Sequence, residues 1–332
     1  MTAGGKPARR RPTIDDVARR AGVSSAAVSF AMNGRRGVGD ATRARILDAA
    51  AELGWSPSAP ARALSRARAG AIGLLLARPV ETLEVDPFFL RFLAGVERAL
   101  ARTDHALLLR VLDSDGPVDA AAYARLASSG RVDGFLLSDV ESDDPRMELL
   151  AEAGLPAVVA GRPTQPCPFP AVETRHAEGL AVATAHLIER GHTRIGFLGG
   201  LARYEFEQAR LEAWRGELAR AGIEPGPVTF GDPGAALAGS PTALVCTSDV
   251  LAAAALAEAR GTGIAVPGAL ALTGFDDSAV AALSSPPLTS VRIDYAQFGE
   301  AAAGALLAAI AGEPSPPFEP ASPQLIVRTS SG

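Results

Sequence analysis

Cysteine is nearly absent: Cys167 and Cys246 are the only two in 332 residues, too few for a disulfide framework or a zinc cluster. The four histidines are scattered, so neither a metal centre nor a cofactor is expected. Lysine is scarcer still. Lys6 is the single lysine among the basic residues, the rest being arginine beside abundant alanine, a bias of genome composition rather than of mechanism. No stretch approaches the roughly 20 apolar residues of a membrane span; even Ala301 to Ala311 is short and interrupted by glycine. The basic N-terminus lacks the apolar core of a signal peptide. These absences point to a soluble chain of the reducing cytoplasm with no membrane partner. Hydrophobic residues at 48% and charged residues at 21% then exclude wholesale disorder and coiled coil.

The net charge of -5 argues against nucleic acid only while it is left as an average. Residues 1–68 hold 13 Lys and Arg against 5 Asp and Glu, whereas the remaining residues hold 19 against 32. A small basic head on a large acidic body suggests a nucleic-acid module joined to something with another task. A solvated basic tail is the alternative, and the head has too much helical grammar for that. Thr13 with Asp16 reads as a capping box, and the helix it opens stops at Gly22. Ser24 caps a second helix that buries Ala27, Val28 and Ala31 and ends near Asn33-Gly34. A third follows Asp40, buries Ile46, Ala50 and Leu53, and closes at Gly54. Two short helices joined by Ala-Gly-Val-Ser have the layout of a helix-turn-helix, although a generic three-helix bundle shares it. Beyond Gly54, residues 58–69 form a linker with room for two helical turns, too short to be stable alone.

From Ala71 the texture becomes α/β. Buried parallel strands are expected at 71–76, 106–109, 134–137 and 157–159, with helices near 88–102, 118–128 and 145–153. A second set follows at 195–198, 243–246, 270–273 and 289–291, with helices near 178–190, 205–221 and 249–260. Two open parallel α/β sheets side by side result, and a cleft between them at the strand C-terminal ends is the default ligand site.

The segment TIDDVARRAGVSSAAVSFAMN, residues 13–33, resembles the helix-turn-helix of the lactose-repressor/galactose-repressor family. The likeness continues through VGDATRARILDAAAELGWSPSAPARALSR (38–66), AIGLLL (71–76), DPFF (86–89), ERGHTRIGFLGG (189–200), TSDVLAAAAL (247–256), LTGFDDS (272–278), PPLTSVRID (286–294) and LIVRTS (325–330). It implies a three-helix DNA-binding domain at 12–57 behind a basic arm at 1–11, a hinge helix and linker at 58–69, and an effector domain at 70–332. The effector domain would have the two-lobed periplasmic-binding-protein fold, one lobe from 70–173 and 295–322, the other from 174–291 and 323–332. It further implies a transcriptional regulator, expected to repress, that binds a pseudo-palindromic operator as a homodimer under control of a small effector such as a sugar. The chain ends without the leucine-repeat tail that makes tetramers in some relatives, so a dimer is expected.

By the same resemblance the base-reading positions are Ser25, Ala26 and Phe30, with Ser29 on the same face. Phe30 cannot fork onto guanine as an arginine would. It either meets thymine methyls with Ala26 or packs in the core. Thr13, Ser24 and Asn33 fit phosphate contacts. In the hinge, Leu64 matches a minor-groove wedge flanked by Ala61 and Arg62, unless it packs on the body instead; Pro60 replaces a frequent valine. In the body the resemblance places Arg210 and Asp276 on the effector, apolar walls at Phe88, Phe89 and Tyr295, and further contacts at Ser138, Ser248 and Asp249. Asp249 and Asp276 read equally well as caps of the helices that follow them. Gly161, Arg175, Ser248 and Pro233 depart from the sugar-binding pattern, and Arg162 with Arg175 suggests an anionic ligand.

Catalysis is a rival reading that finds little support. Asp276-Asp277 and His192 have no nucleophile beside them, and GGLARYE at 199–205 lacks the Lys-Ser/Thr of a P-loop. A solute-binding protein would share the body but not the head. A regulator without effector control is the third alternative, resting on the altered pocket.

Overall fold

The protein, a computed structural model, is described at residues 12–33, 37–56, 68–78, 86–112 and 119–332. The basic arm at 1–11 and the hinge residues Pro60, Ala61, Arg62 and Leu64 lie outside these. The chain divides into two compact units, Met1–Gly70 and Ala71–Gly332.

The first unit contains α1 (Ile14–Ala21), α2 (Ser25–Met32) and α3 (Asp40–Leu53). The Asp16 carboxylate accepts hydrogen bonds from the Thr13 backbone N–H at 2.9 Å and hydroxyl at 2.8 Å, which closes the start of α1 and holds that carboxyl below its usual range. Gly22 and Gly54 end α1 and α3 in the left-handed conformation that only glycine adopts freely. Val17, Val28 and Ile46, all fully buried, draw the three helices onto one small core completed by Ala18, Ala31, Ala49 and Ala50.

In the second unit a five-stranded sheet is all parallel in the order β2-β1-β3-β4-β5, from β1 (Ala71–Leu76), β2 (Ala106–Val111), β3 (Gly134–Leu137), β4 (Ala157–Ala160) and β5 (Ala171–Val172). Its helices are α4 (Pro87–Leu100), α5 (Ala120–Ser128) and α6 (Pro145–Glu152). The expected buried strand at 106–109 is instead an edge strand, longer than expected, with Leu109 and Val111 exposed. Hydrophobic runs look alike at a sheet's centre and edge, so the sequence pattern could not separate them.

The second sheet runs β11-β10-β9-β8-β6-β7. Its strands are β6 (Ile195–Gly199), β7 (Val228–Phe230), β8 (Ala243–Cys246), β9 (Ala271–Phe275), β10 (Thr289–Arg292) and β11 (Gln324–Ile326). Only β11, paired to β10, is antiparallel. Around it lie α7 (His176–Glu189), α8 (Glu205–Arg220), α9 (Pro233–Ala238), α10 (Asp249–Gly261) and α11 (Ala279–Leu283).

After β10 the chain returns to the first sheet as α12 (Tyr295–Ala311), which packs on β3, β4 and α4. Here the backbones of α4 and α12 nearly touch. A Cβ placed on Gly299 would fall 2.0 Å from the Phe92 carbonyl oxygen, and one on Gly95 would fall 1.9 Å from that of Ala296. Gly299→Ala should therefore force the helices apart and lower stability by roughly 1–3 kcal/mol. Denaturant unfolding measures this, and an unchanged midpoint would contradict so close an approach.

Candidate functional site: a buried polar cluster between two sheets

The carboxyl ends of the two sheets in the second unit hold a cluster of buried charges. Arg210, one and a half turns into α8, is 8% exposed. It donates to the Thr247 carbonyl at 3.0 Å, pairs with Glu207 at 3.6 Å, and lies over the Phe275 ring at 4.2 Å and the Phe206 ring at 5.2 Å. Asp276, which ends β9 with φ of 101°, accepts from the Tyr295 hydroxyl at 2.7 Å. Burial pushes its carboxyl up to about 7 against the opposing pull of Arg210, with Asp86 and Asp249 adding to the rise. Nearby His176 is pushed down to about 3, by burial first and by Arg210 second, so its ring is neutral.

The first sheet supplies a matching group that the sequence did not reveal. Arg78, just past β1, grips Asp139 with Nε at 3.0 Å and Nη2 at 2.5 Å, and reaches Asp86 with Nη1 at 3.1 Å. Asp86 also caps α4 by accepting from the Phe88 N–H at 2.9 Å. The DPFF string thus provides the cap as well as the aromatic wall. Phe88 is half-buried, with its ring edge-on to Tyr295 at 4.9 Å, while Phe89 is buried beneath Arg78.

Arg210 Nε, Glu207 Oε2, His176 Nδ1 and Ser138 Oγ are buried with no hydrogen-bond partner. Buried polar atoms are nearly always satisfied. A set of both donors and acceptors, walled by Phe88, Phe206 and Phe275, is suited to a polyhydroxylated ligand with one apolar face. Three guanidiniums, Arg78, Arg91 and Arg210, meet four carboxyl groups here, Asp86, Asp139, Glu207 and Asp276, and burial raises the pKa of Asp86, Glu207 and Asp276.

The two halves of the second unit are closed over this cluster. Residue 141 forms an isolated antiparallel bridge with Tyr204, and Arg203 pairs with Glu141 at 2.9 Å. Arg91 of α4 donates to the carbonyls of Asp276 and Asp277 at 2.6 and 3.0 Å. Thr164 donates through its hydroxyl and backbone N–H to Glu205.

Of the residues expected at the effector, Phe88, Arg210, Asp276 and Tyr295 come together, with Phe89 just beneath. Asp276 caps no helix. Ser138 lines a small adjoining cavity of about 10 Å³ with Asp139, Arg146 and Tyr204. Ser248 caps α10 through the Leu251 N–H at 3.2 Å. Asp249 spends its carboxylate internally, on the Ser278 N–H at 2.7 Å and the Ser290 hydroxyl at 2.5 Å. Arg162 and Arg175 stand apart from the cluster. Arg162 is exposed beside Glu173, and Arg175 pairs with Glu178 and Glu319 along a separate groove of about 590 Å³. Both guanidiniums thus have glutamates beside them, at 3.5 to 4.0 Å.

In the first unit, Val28 and Ala31 point into the core, so Ser25, Ala26, Ser29 and Phe30 share the opposite face of α2. Phe30 is 39% exposed and is not a core residue. Ser24 caps α2 through the Ala27 N–H at 3.2 Å.

Comparison with known proteins matches residues 13–58 to the model of bacterial regulatory proteins of the lacI family and residues 184–331 to a periplasmic binding protein-like domain. The chain is 33% identical to the HTH-type transcriptional regulator CelR of Thermobifida fusca, across 93% of this chain and 95% of that one. The chain belongs to the lacI family. As a lacI-family member it is a DNA-binding transcriptional regulator with an effector domain, and the family is one of regulators rather than enzymes. It is also 31% identical to the transcriptional repressor PurR of Photobacterium profundum, over 87% of this chain and 89% of the relative. Among solved structures, a CelR–cellobiose complex superposes with a TM-score of 0.71 at 32% identity, covering 96% of this chain and 100% of that one. The lac repressor dimer bound to operator superposes at 0.79 over 97% of this chain and 99% of that one. At 22% identity it supports the fold alone. Among the described residues no helix is long and apolar enough to cross a membrane.

Proposed function

We propose that this lacI-family regulator is a cytoplasmic homodimeric repressor that holds operator DNA with its first unit and a neutral sugar in the cluster of its second. The unpaired buried donors and acceptors around Arg210 and Asp276, walled by aromatic rings, carry the choice of ligand. Guanidiniums donate to hydroxyl oxygens and carboxylates accept from hydroxyl hydrogens, so the set suits neutral vicinal hydroxyls, whereas a phosphate would leave the acceptors without hydrogens to take. The cellobiose bound by the CelR relative, 32% identical, supports the same class. The cluster is used for binding and not for catalysis: Asp276 and Tyr295 hold each other, and no nucleophile adjoins them.

A ligand reaches so buried a cluster only when the two sheets part, and it favours the closed arrangement because only that arrangement supplies both halves of its contacts. The sugar thereby biases a two-state element, and its differential affinity for the two states sets the sign of control.

Isothermal titration with cellobiose and with glucose 6-phosphate tests the ligand class. Saturable binding of the neutral disaccharide is expected, with the phosphorylated sugar at least about 10-fold weaker. Tight binding of the phosphate alone would overturn the assignment. Gel-shift titration of genomic fragments, repeated on a chain lacking residues 1–66, tests the other half, since unchanged binding without the head would remove the DNA-binding role from the first unit.

A further inference from the structure

The second helix of a helix-turn-helix enters the major groove and presents its outward face to base edges. In this chain that helix, α2, reads SAAVSFAM and contains no Arg, Lys, Asn, Gln, Asp or Glu. The paired donors that recognise guanine O6 and N7, and the amide that recognises adenine N6 and N7 together, are therefore missing from it. Its outward face consists of Ser25, Ala26, Ser29 and Phe30, two hydroxyls and an apolar pair one turn apart.

One of the hydroxyls is already committed. Ser25 Oγ donates to Asp15 Oδ1 of α1 at 2.6 Å. A serine hydroxyl has a single hydrogen and two lone pairs. With its hydrogen held by a carboxylate, Ser25 can offer the groove only lone pairs, and the carboxylate makes that oxygen a stronger acceptor. The negative charge behind it also opposes the acceptor-rich edge of guanine. Ser29, by contrast, accepts the Asn33 amide on its carbonyl oxygen at 2.7 Å and on its hydroxyl oxygen at 3.4 Å, which leaves its hydrogen free to donate.

The Phe30 ring lies near Gly37, where an added Cβ would sit 3.5 Å from Cδ2, and 39% of the residue remains exposed. Ala26 precedes it by one helical turn. The two make a short apolar stripe beside the Ser25 acceptor, and the major groove contains a single apolar group of matching size, the thymine C5 methyl.

We propose that α2 reads its half-site by an acceptor-and-methyl code: Ser25, locked by Asp15, accepts from the exocyclic amine of adenine or cytosine, while Ala26 and Phe30 pack on thymine methyls. This rests on the DNA-binding role of the first unit and deepens it by naming the bases. Specificity would then come from shape and methyl contact at the positions where an arginine would read guanine.

Selection from randomised duplexes with the full-length chain, followed by binding to single-base variants of the selected site, tests the code. The wild type should select thymine at the position facing Phe30 and adenine or cytosine at the one facing Ser25. Replacing that thymine by deoxyuridine, which removes only the methyl, should weaken binding about 4-fold, the effect of one buried methyl group. F30R should move the selected base toward guanine. D15A, which removes the acceptor and so releases the Ser25 hydrogen to donate, should abolish the amine preference while leaving the thymine preference intact. Guanine selected by the wild type at either position, or indifference to deoxyuridine, would overturn the code while leaving the DNA-binding role standing. If no motif is selected at all, that role falls too. The deoxyuridine comparison uses unaltered protein and is independent of how any variant folds.

Discussion

Arg78→Met should lower the stability of the effector unit by about 3–5 kcal/mol, the usual cost of removing one partner from a buried ion pair. The substitution keeps most of the side-chain volume beside Phe89 and Tyr204 but leaves Asp139 and Asp86 facing each other without their shared cation. Burial already pushes the Asp86 carboxyl up, and Arg78 is the principal charge restraining that rise. The loss should therefore grow as the pH rises and the buried Asp86 carboxyl must ionise. Adding Asp139→Asn should return part of it, because the unpaired charge is then gone. Urea unfolding of the single and double variants gives both numbers. A loss below about 1 kcal/mol, the range of exposed pairs, would mean that water reaches Arg78 freely and that the cluster is open.

Arg78 also shows what the sequence conceals. The run of apolar residues in β1 announces a buried strand, yet nothing in the Arg-Pro pair after it says that the guanidinium turns inward. That depends on Asp139, 61 residues later, and on the two strands pairing side by side. His176 was hidden for the same reason, since it meets Arg210 across an element boundary, whereas Glu207 and Phe206 lie within four residues of Arg210 on α8 and were missed because the sequence does not show that this face is buried. Where the signal was local, the reading was close. The capping box at Thr13, the glycine stops at Gly22 and Gly54 and the cap at Ser24 depend on neighbours within four residues, and so does the alternation of strands and helices from Ala71 onward. The short elements β5, β7, α9 and α11 escaped because two to six residues show no periodicity. At Arg162 and Arg175 the charge is visible in the sequence but its neighbours are not, and for Arg175 one of them, Glu319, comes from the far end of the chain.

Asp276→Asn should make the protein more stable above neutral pH and weaken its binding of sugar. The Asp276 carboxyl is pushed up to about 7 in the folded chain, against roughly 3.9 when unfolded. Between those values the native state holds a proton that the unfolded state has released. The stability contributed by that proton is complete below about pH 4 and is lost as the pH rises through 7, amounting to about 4 kcal/mol. An asparagine keeps the acceptor for the Tyr295 hydroxyl and has no charge to bury, so the variant's advantage should be small at pH 5 and reach a few kcal/mol at pH 8. Thermal unfolding at the two values separates this from a uniform shift, which would show that the carboxyl does not titrate in this range. Sugar binding should move the other way. A ligand hydroxyl donates best to the ionised carboxylate, so wild-type affinity should rise about 10-fold from pH 6 to pH 8 as that form fills. The asparagine variant should lose this slope and bind some 10- to 100-fold more weakly, the worth of a hydrogen bond to a charged group. A variant that gained stability and kept its affinity would place the sugar away from Asp276. One that lost both would make the carboxylate a structural anchor held by Arg210, because the charge would then be favourable to the fold instead of opposing it.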